Sequence, residues 1–365
     1  MKLKFEKGNL LNATQIASRG IPAHTMQPIL ECILVEAVDG NIALRSTDME
    51  MAIKTNVDGE IIESGIIALD AKMFADIVRK MPDGEITITS DENYQTEIKS
   101  GKAKFRIAGR DGNAFPKTAE VEDAQEIIVS EFSLKELIRT TIFSIAADSS
   151  QKSMTGELIR VKGDRFSATS LDGHRISIRN IDLRNSYEEV SAIVPGRTLT
   201  EVMKSLSGDA DLDAKIVFNK NNIEFSFGNT TLVSRTIDSE FFDIKSIVNM
   251  QPSTTITVNK QEFADCIDRA TLFTKSGEKK PVILETKDNA IEVRIESAIG
   301  GMHETVSCSR TGNDLKIGCN PAFLVDILKN IDIDEVTLYL TSEKMPIIIR
   351  DRETFLYLAL PISMK

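Results

Sequence analysis

The sequence predicts an α+β fold made of three tandem copies of a two-helix, antiparallel-sheet domain. Three observations lead there. First, an amphipathic helix pattern recurs at a constant offset. Phe74, Ile77, Val78 and Met81 form an i, i+3, i+4, i+7 apolar stripe; Leu199, Val202, Met203 and Leu206 repeat it 125 positions later, and Leu324, Ile327, Leu328 and Ile331 repeat it after another 125. One such stripe is what any globular core needs, but four aligned positions in three copies point to one unit used three times. Second, a helix-start signature recurs in the second and third units. Third, the segments between helices alternate apolar and polar residues with the period of a half-buried strand.

Taken in order, Met1-Lys2-Leu3-Lys4-Phe5-Glu6-Lys7 alternates and reads as an edge strand. Leu10 to Ala17 reads as the first helix, with Gly8-Asn9 before it and Gly20 closing it. Asp39-Gly40 and Pro82-Asp83-Gly84 are turn signals, and Ile86-Thr87-Ile88 is a strand. Ser133-Leu134-Lys135-Glu136 has the form of a capping box, followed at helical spacing by Leu137, Ile138, Thr141 and Ile142. Asn259-Lys260-Gln261-Glu262 is the same device 126 positions on, followed by Phe263, Cys266, Ile267 and Ala270. Lys162-Gly163-Asp164 and Lys287-Asp288-Asn289 read as turns, and Ile291 to Ile295 and Val336 to Leu340 as strands. The linkers are the acidic stretch Lys117 to Glu126 and the stretch Val248 to Thr254, each after a similar element (Asn113 to Pro116, Glu240 to Asp243). The expected domains are residues 1–122, 127–247 and 253–365. Such repeats are expected to pair strand edges between neighbours, which protects edges that otherwise invite aggregation.

Composition narrows the function. The 365 residues are 41% hydrophobic and 27% charged, ordinary for a soluble globular chain. No apolar run has the length of a membrane span. Cys32, Cys266, Cys308 and Cys319 lack paired short spacing and are expected to be reduced, buried thiols of a cytoplasmic protein. A net charge of −11 argues against nucleic-acid binding unless the basic residues are segregated to one surface. Chemistry-bearing motifs are sparse. His24, His174 and His303 are far apart, and there is no Walker loop or dinucleotide fingerprint, so no metal or cofactor is expected. Ser149-Ser150-Gln151-Lys152 contains S-x-x-K, and Lys275-Ser276-Gly277 loosely echoes K-T-G. The two lie 126 positions apart, so equivalent loops after equivalent helices explain both without catalysis.

The helices carry Lys72, Arg79, Lys80, Lys135, Arg139, Arg197, Lys204, Lys260, Arg269 and Lys329 on their polar faces, mixed with Asp76, Glu136, Glu201 and Asp326. This pattern reads either as an ordinary solvated surface or as a weak, sequence-independent surface for phosphate backbones. Asp172-Gly173-His174-Arg175-Ile176 reads as a turn entering a strand. The end, Tyr357 to Lys365, is unusually apolar for a free tail; it is either tied into a sheet or lines an apolar groove for a partner.

These residues together resemble one family. The start Met1 to Glu6, Pro28-Ile29-Leu30, Phe115-Pro116, the Leu171 to Arg175 turn, Leu360-Pro361-Ile362 and the threefold repeat make the chain similar over its whole length to the bacterial DNA polymerase III beta subunits, the sliding clamps. The resemblance implies a six-domain ring closed by a head-to-tail homodimer, without catalytic residues of its own. Double-stranded DNA would pass through without sequence readout, tethering the polymerase and raising its processivity. Partners such as the DNA polymerase III alpha subunit, the clamp loader delta subunit and repair proteins would dock clamp-motif peptides in a groove between domains two and three. Position by position, that groove would comprise Met154, Leu171, Gly173, His174, Arg175, Ile176, Phe242, Ile247, Pro346, Leu358, Leu360, Pro361, Ile362 and Met364. Phe242 stands where proline is common, Leu171 replaces a threonine and Ser246 a basic residue. The DNA-facing positions would be His24, Arg79, Lys80, Lys152, Arg197, Lys204 and Lys275. The dimer contact would set Met73, Ile77, Phe105 and Ile107 against Leu272 and Phe273. Two other readings stand beside this one: a hydrolase using Ser149 and Lys152, and a scaffold that binds only proteins.

Overall fold

The structure, a computed structural model, describes residues 1–118, 121, 125–219, 221–244, 247, 250–274 and 280–364. The chain packs as two compact units, Met1–Leu134 with Thr200–Thr236, and Lys135–Leu199 with Ile237–Lys365. All strand pairings among the described residues are antiparallel.

The first unit opens with β1 (Lys2–Glu6) and α1 (Lys7–Ser18). The strands β2 (Cys32–Val38), β3 (Asn41–Thr47), β4 (Met51–Asn56), β5 (Glu60–Glu63) and β6 (Gly65–Asp70) lead to α2 (Ala71–Lys80). After it come β7 (Glu85–Ser90), β8 (Gln95–Ser100), β9 (Ala103–Ala108), the short β10 (Arg110–Asp111) and β11 (Glu126–Ser130). The stripe read from the sequence is the core face of α2: Phe74, Ile77, Val78 and Met81 are buried against Leu3, Phe5, Leu10, Val35 and Ile88. Asp70 caps this helix by accepting from Met73 N at 2.8 Å. Helix α1 begins earlier than the sequence reading had it. Lys7 N–H donates to the Gly84 carbonyl at 3.0 Å and Lys7 Nζ reaches Asp83 at 2.8 Å, so the Pro82-Asp83-Gly84 turn supplies the missing cap and Gly8 and Asn9 lie inside the first turn. Arg19, in right-handed backbone, is the C-cap of this helix, so Gly20 is not the left-handed terminator expected; it is required there for space. A Cβ there would collide with Ser46 Oγ, which itself bonds the Ala17 carbonyl at 2.5 Å.

One sheet of this unit runs β5-β1-β7-β8-β9. The other has nine strands and crosses between repeats. Its order is β10-β6-β2-β3-β4 and then three strands of the second repeat, β16 (Thr230–Arg235), β15 (Asn222–Phe227) and β14 (Asp213–Phe218), with β11 at the far edge. Met51 to Thr55 pair with Ser234 to Thr230. This is the edge sharing expected of tandem repeats.

Two helices bridge the units in sequence, α3 (Glu131–Arg139) and α4 (Gly196–Ser205). Here the capping expectation is corrected. Helix α3 starts before Ser133, and Ser130 Oγ accepts from Ser133 N at 3.2 Å, so Ser133 is a third-position residue rather than the cap. In α4, Leu199, Val202 and Leu206 are buried while Met203 is only partly so.

The second unit contains β12 (Gly156–Leu171), β13 (Arg175–Pro195), β17 (Thr254–Asn259), α5 (Lys260–Thr271), β18 (Val282–Lys287), β19 (Ala290–Ser297), β20 (Gly300–Gly312), β21 (Lys316–Cys319), α6 (Pro321–Asn330), β22 (Glu335–Leu340), β23 (Ile347–Asp351) and β24 (Phe355–Ala359). They form a ten-stranded sheet in the order β12-β13-β24-β23-β22-β17-β20-β19-β18-β21. Asn259 caps α5 through Glu262 N (3.0 Å), as its sequence signature predicts. Leu324, Ile327, Leu328 and Ile331 are buried with Phe263, Ile267 and Tyr357. Lys162-Gly163-Asp164 is not a chain reversal. The register of β12 against β13 shifts on both sides of Gly163, whose φ is +61°, so the glycine makes a bulge within a long hairpin. The central repeat is thus shared: β14 to β16 pair with the first repeat's sheet, and β12 and β13 with the third's. The four cysteines are unpaired; Cys32, Cys266 and Cys319 are buried as expected, whereas Cys308 is only partly so.

Candidate functional site

Strand alternation builds the site. On β24, Phe355, Tyr357 and Ala359 face the core beneath α5 and α6, so Leu356 and Leu358 face the opposite side. On β23, Ile347 and Ile349 point inward and Ile348 outward; on β13, Ile176 and Ile178 share that outward side. Sheet pairing sets Ile176 beside Leu358, and Leu358 beside Ile348. With Leu171 these make an apolar floor, and Met154, Phe241, Ile244, Ile247 and Met250 pack over it. A cavity of about 200 Å³ remains, lined by Met154, Leu171, Gly173, His174, Arg175, Ile176, Phe242, Asp243, Ile244, Ile247, Leu358 and Leu360.

The rim is the turn between β12 and β13. Asp172 Oδ1 accepts from His174 N (2.9 Å) and Arg175 N (3.0 Å), and Gly173 takes φ +84°, which a side chain would resist. Arg175 does not offer a free charge to the cavity. Its Nε donates to Asp172 Oδ2 at 3.0 Å, its Nη1 to Asp326 Oδ2 on α6 at 2.5 Å, and its guanidinium lies 4.5 Å from the Phe323 ring centre. His174 stacks on the same ring at 6.4 Å, and its carbonyl accepts from Leu360 N at 2.8 Å. The cavity therefore has apolar walls and a neutralised cation at its rim, an arrangement that selects apolar side chains rather than phosphates.

Ten of the fourteen positions expected in a groove line this cavity. Pro346, Pro361, Ile362 and Met364 do not: Pro346 is buried before β23, and Ile362 and Met364 turn toward β21, where Ile362 N donates to the Gly318 carbonyl at 2.8 Å. Asp243 and Ile244 were missed. Their signal was Phe242, an expected groove position that they directly follow. Asp326 and Phe323, which hold Arg175 in place, could not be found without knowing which helix packs on the turn.

The expected DNA-facing side chains are at the surface: His24 in the loop after α1, Lys80 ending α2, Lys152 in a short 3-10 turn and Arg197 in the first turn of α4. Arg79 is paired with Asp76 (2.5 Å) and Lys204 with Glu201 (2.9 Å). Lys275 lies outside the described residues, as does Ser246. Of the expected dimer residues, Met73, Phe105 and Leu272 are exposed (52%, 39% and 72%), whereas Ile107 and Phe273 are partly buried against their own cores. Ile77 is only 4% exposed and belongs to the core of α2, which removes it from any partner-facing surface. Ser149 Oγ serves a turn, accepting from Gln151 N at 3.1 Å and lying 3.8 Å from Met154 Sδ.

Family models for the N-terminal, central and C-terminal domains of the DNA polymerase III beta subunit match residues 1–119, 128–243 and 245–363. The chain belongs to the DNA polymerase III beta subunit family. It is 30% identical to a beta sliding clamp of Bacillus subtilis over 376 residues, and 29% to one of Staphylococcus epidermidis over 374, with 99% of each chain covered in both cases. Among solved structures, a Eubacterium rectale chain named for the DNA polymerase III beta subunit superposes with a TM-score of 0.95 at 47% identity, covering 99% of both chains. The Bacillus subtilis DNA polymerase sliding clamp gives 0.95 at 28%, covering all of both. The fold is accordingly three tandem clamp domains, and the function is that of a processivity clamp in DNA replication, an accessory role to the polymerase. No helix among the described residues is long and apolar enough to cross a membrane.

Proposed function

We propose that the apolar cavity beside the Asp172–Arg175 turn is where partner proteins dock, by inserting the apolar side chains of a short peptide. The polymerase alpha subunit, the clamp loader delta subunit and repair proteins would compete for it. The observation that carries this is the cavity itself: about 200 Å³, floored by Leu171, Ile176 and Leu358, with Arg175 already paired to Asp172 and Asp326. A fluorescent peptide of the Gln-Leu-x-Leu-Phe type should bind saturably by anisotropy and should be lost with Leu360→Asp. Equal binding by the variant, or none by the native protein at hundreds of micromolar, would reject the reading.

The domains span 1–122, 127–247 and 253–365, and two protomers close head to tail into a six-domain ring. Support comes from two strand edges. Among the described residues, β9 pairs only with β8, and residues 300–307 of β20 pair only with β19, because β17 takes residues 308–312. Exposed Phe105 lies on the first edge. A heterologous contact that joins unlike surfaces closes a ring when its rotation allows. Sedimentation of Phe105→Asp as a monomer is the expected result; an unchanged dimer would refute this contact.

The ring acts in the cytoplasm by topology and performs no chemistry with its own residues. DNA is held weakly, because several helix cations are already matched within the chain: Arg79 by Asp76, Lys204 by Glu201, Arg139 by Glu136 and Asp332, Lys329 by Asp268. Weak phosphate contact permits sliding. Retention on nicked circular DNA, with escape after linearisation, tests it, and retention on the linear form would count against it.

A further inference from the structure

The C-terminal tail is held at two points. Leu360 N–H donates to the His174 carbonyl and Ile362 N–H to the Gly318 carbonyl, both at 2.8 Å. β21 is the last strand of the ten-stranded sheet and pairs on one side with β18. The tail therefore covers backbone groups that an edge strand would leave open. At Gly318 this covering is tightest. A Cβ there would lie 2.6 Å from the Ile362 carbonyl oxygen, 2.9 Å from Met364 Cγ and 3.1 Å from Pro281 Cβ. Gly318 has no left-handed φ, so the site requires a glycine for space alone.

Between the two anchors stands Pro361. Its ring fixes its own φ, and it restricts Leu360 to extended backbone. A shift at Ile362 is therefore passed to Leu360 instead of being absorbed between them. Leu360 is the one side chain that the tail contributes to the cavity wall among the described residues.

We infer that Gly318 is a positioning residue of the groove: it seats the tail, and the seated tail holds Leu360 on the wall. Ile362 and Met364 then serve docking by seating the tail on Gly318 and so holding Leu360 in place. The inference rests on the reading of the cavity as a peptide-docking site.

The test uses the full-length protein, Gly318→Val, a chain ending at Pro361, and the two changes combined. The probe is the fluorescent Gln-Leu-x-Leu-Phe peptide, and hydrogen exchange at the Leu360 amide is read alongside. Gly318→Val should weaken peptide binding about tenfold, a modest loss for a displaced apolar anchor, and should expose the Leu360 amide to exchange. Truncation should do the same, and Gly318→Val should add nothing in the truncated chain. Native affinity with Leu360 still protected would overturn the inference. So would an equal loss in the truncated background, since β21 itself would then be at fault. If the valine variant does not fold, Gly318→Ala meets the same carbonyl and is read by the same two measurements. If the native protein does not bind the peptide, the docking reading fails, while protection of Leu360 still decides whether Gly318 seats the tail.

Discussion

Glu157, on β12, is a carboxyl group in the wrong solvent. It is 0% exposed, and among the described residues neither carboxylate oxygen has a hydrogen-bond partner. Burial pushes its pKa from an ordinary 4.5 up to about 8; the Thr141 hydroxyl works in the opposite direction, but it is donated to the Leu137 carbonyl at 2.8 Å. The folded protein therefore keeps Glu157 protonated at neutral pH, whereas the unfolded chain ionises it. The raised value fixes the sign. Folding holds a proton that unfolding releases, so the contribution of Glu157 to stability is greatest below pH 4.5, falls as pH rises and levels off above the folded value near 8. At about 1.4 kcal/mol per pH unit, the loss at pH 7 is roughly 3 kcal/mol relative to acid. Glu157→Gln removes the titration and Glu157→Leu also removes the unpaired oxygens. Because three domains need not unfold together, the suitable assay is hydrogen exchange at β12 amides by global opening. Between pH 6 and 8 the native protein should lose about 2 kcal/mol more than Glu157→Gln. Parallel pH dependence in the two proteins would show that Glu157 is ionised or hydrated in the fold, and the argument would fail.

Other outcomes follow from the same contacts. Arg175→Ala strands Asp172 and Asp326 beside the turn and should cost about 3 kcal/mol in thermal or urea unfolding, with part of that recovered in Arg175→Ala, Asp326→Ala. Gly20→Ala forces Ser46 away from the Ala17 carbonyl and should destabilise by about 1–3 kcal/mol, read from the urea midpoint. Glu201→Gln frees Lys204 and should steepen the salt dependence of DNA binding by about one unit of log–log slope; an unchanged slope would mean that Lys204 does not face the duplex. Of the four thiols, burial raises the pKa of each, to about 12 for Cys266, and Cys308 is the least enclosed. A thiol reagent should modify Cys308 first and the other three only in denaturant.

What was legible in the sequence was whatever periodicity encodes. The apolar stripes of α2, α4 and α6 are buried faces because a helix returns to the same side every three or four residues. The capping signal at Asn259 was local and held; the one at Ser133 failed by three residues, because Ser130 caps the helix without the Glu that completes a capping box and so leaves the weaker local mark. Gly163 shows the limit of turn signals. A left-handed glycine serves a bulge as well as a reversal, and only the partner strand distinguishes them. Most of the cavity lining was reached by resemblance, not by chemistry. Leu171, Ile176 and Leu358 carry no mark that separates them from core residues, since their outward face becomes a floor only when β13 pairs with β24.

By itself, then, the sequence determined three repeats and the core faces of α2, α4, α5 and α6, because these depend on near neighbours along the chain. The tertiary structure alone decided which repeat lends its strands to which sheet, that Arg175 is neutralised by Asp326, that Ile77 is core, and that Ile362 and Met364 lie on Gly318 instead of in the cavity. Each of those depends on groups brought together from distant parts of the chain, and no local pattern specifies such a meeting.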